Sequence, residues 1–140
     1  MKTLLIFLLV LFPGLAAGQG LPFMEARVLD NCPEGLPALP QPDTLPEWVN
    51  KSEVAMAMMR GDGFAFCRAA GICGATYIRF LIDAQGAYVC HRVTREDHPI
   101  YTGVYLDLVP IMRFAPGKQA GAPAAGWTEE LKLRVPCGIN

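Results

Sequence analysis

The chain has almost no net charge, with twelve Lys and Arg against thirteen Asp and Glu and a formal value of -1. That balance implies no basic face and so no electrostatic footprint for nucleic acid. No Ser-His-Asp order, phosphate-cradling glycine loop or isolated carboxylate pair stands out, so hydrolytic and nucleotide chemistry find no motif here. No Cys-x-x-Cys pair is present, which removes the usual zinc-ribbon spacing. There are two histidines, His91 and His98. A metal is raised only by Cys90-His91 together with Cys67 and Cys73. Adjacent strand residues point to opposite faces, so Cys90 and His91 would not share an ion. We expect neither a metal nor a cofactor. His98, before a proline at a strand end, reads as loop chemistry rather than catalysis.

What is present is organised around residues 72–93, which read as a β-hairpin. Ile78, Phe80 and Ile82 alternate with Tyr77, Arg79 and Leu81, the pattern of a half-buried strand. Asp83-Ala84-Gln85-Gly86 supplies the turn, with Asp bonding its own backbone and Gly available for positive φ. A second strand leaves through Tyr88, Val89, His91 and Val93.

The rest reads as cover for this hairpin. Residues 1–18 have the layout of a secretory signal peptide: Lys2, an apolar run, Pro13-Gly14, then small residues before Gln19. The alternative is a retained membrane anchor, since no charge occurs from Thr3 to Met24. Residues 19–46 are rich in proline, which fixes φ and donates no hydrogen bond, so they read as an extended linker. Residues 47–60 read as an amphipathic helix with Trp48, Val49, Val54, Met58 and Met59 on its apolar stripe. Such a Met-rich stripe serves core packing or an adaptable surface. Residues 64–70 are a short apolar connector. Residues 101–109 form a second helix, stopped by Pro110. Residues 114–119 are turn and loop, and 120–126 small and flexible. Residues 127–135 alternate as a final strand. Trp127, Glu129, Leu131, Leu133 and Val135 lie on one face, and Thr128, Glu130, Lys132 and Arg134 on the other.

All five cysteines, Cys32, Cys67, Cys73, Cys90 and Cys137, follow the signal. Exported cysteines in a small domain usually oxidise, and an odd number leaves one over. The hairpin register separates Cys73 from Cys90 by more than the ~7 Å that a bridge spans. Cys32–Cys137, and either Cys67–Cys90 or Cys67–Cys73, are the expected bridges.

An ordered series of residues then resembles the TonB C-terminal domain family over residues 45–135. It runs Gly71-Ile72, Gly74, Phe80-Leu81-Ile82-Asp83, Gly86, Arg92-Val93, Arg95, His98-Pro99, Phe114, Pro116-Gly117-Lys118-Gln119, Gly121 and Pro123. The chain departs from that pattern at Cys90-His91, at Tyr101-Thr102-Gly103, and at Ala122 and Ala124. The resemblance implies an α+β fold over residues 47–137, with a small three-stranded antiparallel sheet and two helices packed on one face. It implies protein binding rather than enzymatic activity, with an extended segment of a TonB-dependent outer-membrane receptor, or of another envelope protein, added as a strand. The implied edge is Trp127, Thr128, Glu129, Glu130, Leu131, Lys132, Leu133 and Arg134, since an edge strand offers unpaired N–H and C=O groups. The same edge would serve a homodimer.

The expected location is the periplasm or the exterior, or the inner membrane if the first segment is retained. About 27 residues of linker reach only ~80 Å even as polyproline II, which suits a stand-alone module better than a force transducer. A secreted structural or effector domain that reuses the fold is the alternative function. A thiol-active enzyme, resting on the odd cysteine, is a third.

Overall fold

The computed structural model describes residues 30–36, 38–39 and 41–135. The expected signal peptide and Cys137 lie outside the described residues. The hairpin forms as β2, Gly74–Ile82, and β3, Tyr88–Glu96. Its turn closes as the side chains dictate. Asp83 Oδ1 accepts from the amides of Gln85 and Ala87 at 2.9 and 2.8 Å. Gly86 takes φ +84, and a Cβ there would lie 2.7 Å from the Phe114 carbonyl oxygen, so the turn requires glycine.

The order of the main sheet is β3-β2 followed by the last strand, all antiparallel. That last strand is split into β7, Gly126–Trp127, and β8, Leu131–Val135. Leu81 pairs with Trp127 and Ile78 with Leu131, so three steps along β2 match four along the partner. The extra residue is a β-bulge, and it reverses the alternation. Leu133 and Val135 turn inward, while Thr128 is 1 % exposed and Trp127 sits on the outer face beside Leu81. The single uninterrupted alternation expected for residues 127–135 is therefore corrected. Trp127 shares a face with Lys132 and Arg134, not with Leu131.

Three helices cover the inner face, where two were expected. They are α1, Lys51–Arg60, α2, Asp62–Ala69, and α3, Pro99–Leu106, followed by a 3-10 turn at Val109–Ile111. The residues expected to connect helix to hairpin are α2. Its eight residues are too few to show a periodic stripe. Gly63 lets α2 close on α3, since a Cβ there would meet Val104 Cγ2 at 2.9 Å. Residues 47–48, expected to begin the first helix, instead form β1, Glu47–Trp48, paired with β4, Phe114–Ala115. The expected loop and flexible stretch are also paired, as β5, Gly117–Gln119, with β6, Ala122–Ala124. The core lies between the sheet and helices around Ile78, Phe80, Ile82, Val54, Cys67, Tyr101, Phe114 and Val135.

Cys32 is bonded to Cys90, with Cα atoms 5.0 Å apart across a sequence separation of 58. The expected Cys32–Cys137 bridge is thereby excluded. Both expected bridges of Cys67 fail too, because Cys67 is free and buried in the core from α2. Cys90 pairs with Leu81 and so faces the opposite side of the sheet. Cys73 is disulfide-bonded as well. Around the first bridge, residues 30–32 lie along the outer edge of β3. The Asn31 amide donates to the His91 carbonyl at 3.4 Å, and the His91 amide donates to Asn31 Oδ1 at 2.8 Å. Arg92 Nε is 3.2 Å from Asp30 Oδ2.

Closing so long a loop stabilises the fold by about 4 kcal/mol on the chain-entropy account. The double variant Cys32→Ser/Cys90→Ser is expected to lose about 2–4 kcal/mol in urea unfolding. Its His91 amide should exchange faster with solvent than that of the intact protein.

Candidate partner-docking edge

The sheet has two edges, and they are unlike. On β3, residues 30–32 supply a bridge at Arg92, an ion pair and a covalent bond, which together blunt the edge. On the other side, β8 pairs with β2, and among the described residues no strand lies beyond it.

The direction of the open groups can be read from Tyr105, whose hydroxyl donates to the Arg134 carbonyl at 3.3 Å. That carbonyl points away from β2. In an antiparallel pair the N–H and C=O of one residue point to the same side, and alternate residues repeat it. Lys132 therefore also presents its backbone outward, while Leu131, Leu133 and Val135 bond to β2.

A groove runs beside this edge. Near its start is a cavity of about 440 Å³ lined by Asp43, Pro46, Trp48, Lys51, Thr128 and Leu131. Farther along, a cavity of about 200 Å³ is lined by Trp48, Val54, Met58, Tyr105, Leu133 and Arg134. One wall is thus the edge itself, and the other is α1 with the chain before it. Of the stripe expected on α1, Val54 is buried and Met58 partly buried, while Val49 and Met59 are 57 and 59 % exposed. Trp48 serves the same core from β1.

The placement of α1 rests on Asn50, 8 % exposed at its N-terminus. Its side chain does not cap the helix. Oδ1 accepts from Trp48 Nε1 at 3.0 Å and from the Arg113 amide at 2.8 Å. Nδ2 donates to Glu53 at 3.1 Å and to the Ile111 carbonyl at 2.9 Å. All four hydrogen-bonding positions of the amide are used. Glu53 also pairs with Arg113. The Asn50 and Arg113 hydrogen bonds, with the guanidinium charge, hold its carboxyl below the usual range. No sequence motif marks Asn50, because two of its four partners are backbone groups more than 60 residues away.

The eight residues expected at the edge do not act alike. Leu131 and Leu133 pack inward and join the core, and Lys132 and Arg134 are exposed. Thr128 is structural: its Oγ1 accepts from the Phe80 amide at 3.1 Å, holding the bulge. Glu129 and Glu130 are exposed in the break, with Glu130 accepting from Thr94 Oγ1 at 2.5 Å. Trp127 lies on the sheet face, where Arg92 Cζ sits 5.1 Å from its ring centre.

His91 faces inward beside Phe80 and bonds Tyr88 through Nδ1 at 2.7 Å. His98 Nδ1 accepts from the Ile100 amide at 3.3 Å and caps α3. Burial pushes the Cys67 thiol up, the reverse of an activated cysteine. Among the described residues no group of three or more His, Cys, Asp or Glu is placed to hold a metal. No helix among them is long and apolar enough to cross a membrane.

Comparison with family models, curated proteins and solved structures finds no match to this chain.

Asn50→Ala leaves the Arg113 amide, the Ile111 carbonyl and the Trp48 indole without their partner. It is expected to cost at least about 2 kcal/mol in urea unfolding, given ~1–3 kcal/mol for each buried group left unsatisfied. Glu53 titrates the other way round from a buried acid. Its folded pKa is depressed, so its stabilising contribution is present at neutral pH and is lost as pH falls through that lowered value. Arg113→Gln should raise the Glu53 pKa measured by NMR titration.

Proposed function

We propose that this chain is a protein-docking module of the cell envelope that takes an extended partner segment as a further strand on β8. The inequality of the two sheet edges carries this reading. One edge is blunted covalently, and the other is left open beside a groove with an apolar wall. Main-chain bonds from Lys132 and its neighbours would supply affinity, and Trp48 and Met58 would receive alternate side chains of the added strand.

The resemblance to the TonB C-terminal domain family supports the partner's nature: the amino-terminal segment of a TonB-dependent outer-membrane receptor. A disulfide persists in oxidising compartments, which supports an exported location, periplasmic or secreted. The bridge at Cys32 also shortens any tether from an amino-terminal anchor. About 14 residues separate residue 18 from Cys32, a span of ~45 Å as polyproline II. A stand-alone binding module fits that reach better than a transducer spanning the periplasm.

The test is a fluorescence titration with synthetic peptides carrying receptor amino-terminal segments. Lys132→Pro removes an N–H that faces away from β2 and leaves the β2 ladder intact. It is expected to weaken binding at least tenfold, while Lys132→Ala changes it less than threefold. Equal affinity in Lys132→Pro and the parent, with the fold intact, would sink strand addition at this edge.

A further inference from the structure

The outer face of the sheet is cationic, which the net charge of -1 conceals. Strand register places Arg79 of β2, Arg92 and Arg95 of β3, and Lys132 and Arg134 of β8 on it. Five of the chain's twelve basic residues are therefore gathered there. Three carboxylates, Asp30, Asp97 and Glu130, bond to groups on this face or at its rim. The face is thus positive, and the remainder of the chain is negative.

One pair in this array opposes folding. Arg79 stands directly opposite Arg92, a like-charged cross-strand pair, which is destabilising. Arg95 and Lys132 converge on one ring from either side, with Arg95 Cζ 4.4 Å and Lys132 Nζ 5.6 Å from the centre of Tyr77. Among the described residues, Arg79, Lys132 and Arg134 form no ion pair. Arg92 and Arg95 remain 53 and 64 % exposed in theirs. Converged, incompletely neutralised cations suit an anionic partner that would relieve their repulsion.

We propose that this face docks on an anionic phospholipid surface. Three observations favour a bilayer over single-stranded nucleic acid. The cations are spread over a planar array, about 10 Å across the strands and about 13 Å along them, rather than drawn into a strand-tracking channel. The Trp127 and Tyr77 rings are already capped by Arg92, Arg95 and Lys132, so neither is an open stacking platform for bases. Trp and Tyr set among cations are the residues that settle at headgroup depth. The face shares Lys132 and Arg134 with the rim of the β8 edge groove, but Arg79, Arg92 and Arg95 lie outside that groove, so the inference stands whether or not a peptide binds there.

The experiment is co-sedimentation of the full chain with vesicles of phosphatidylcholine alone or with 30 % phosphatidylglycerol. An apolar amino terminus partitions into both alike, so the difference between them reads the cationic face. The parent is expected to prefer the phosphatidylglycerol vesicles at low salt and to lose the preference at high salt. Each cation near such a surface contributes roughly fivefold, so Arg79→Gln/Arg95→Gln/Lys132→Gln should lower the preference about a hundredfold. Trp127 fluorescence of the parent should shift to the blue on phosphatidylglycerol vesicles, since Trp48 is already buried. That shift keeps the test decisive if the triple variant does not fold. Equal binding to both vesicles, an unshifted Trp127, or a preference that survives in the folded triple variant would overturn the proposal. Binding to oligothymidylate but not to vesicles would overturn it in favour of nucleic acid.

Discussion

Pairing of β2 on both its sides is the interaction on which the rest depends. It bonds β3 along one side and β7 with β8 along the other. Its inward residues Thr76, Ile78, Phe80 and Ile82 have no exposure at all. Three helices have to cover them, because an antiparallel sheet can leave one face to water but not both. The outward residues Tyr77 and Arg79 are then left to a solvated face. The core, the open edge and the charged face are three consequences of one strand's alternation.

That alternation was legible in the sequence, and so was the turn, because both depend on neighbours within a few residues. Asp83 and Gly86 act on their own loop, so their types announce their roles. Helices and strands were read from the same local signals, and the α+β class itself came with the resemblance to the TonB C-terminal domain family. Elements that failed to show were set by distant partners. Glu47–Trp48 reads as the first turn of a helix, but Phe114–Ala115 lies alongside and makes it a strand. α2 is short and takes its apolar contacts from α3 rather than from a stripe of its own. Cysteine pairing depends on which face each thiol occupies, and linear spacing does not carry that.

The bulge at residues 128–130 is the most informative of these differences. One inserted residue exchanges the faces of everything before and after it. Read without the bulge, the final strand has Trp127 in the core and its charges mixed with Thr128. With it, Trp127 joins Lys132, Arg134 and Arg92 outside, and Thr128 goes inside to accept from the Phe80 amide. The candidate edge was legible as a strand, but its division into inward, outward and structural residues was not. Asn50 was invisible for a related reason. It acts as a rivet between segments, and neither segment alone marks it.

The two edges of the sheet also tie the fold to its chemical surroundings. Backbone groups left open on both sides would make the domain a template for indiscriminate pairing. Noncovalent cover on β3 amounts to a bridge, an ion pair and three hydrogen bonds from residues 30–32, and a segment rich in proline contributes few further backbone donors. The bond from Cys32 to Cys90 converts that thin cover into a permanent one. An oxidising compartment therefore leaves one edge available, and the available edge is the one with a groove beside it. If a partner strand docks there, selectivity for it lies in geometry that α1 and Asn50 hold in place, rather than in any residue whose chemistry could be recognised by type.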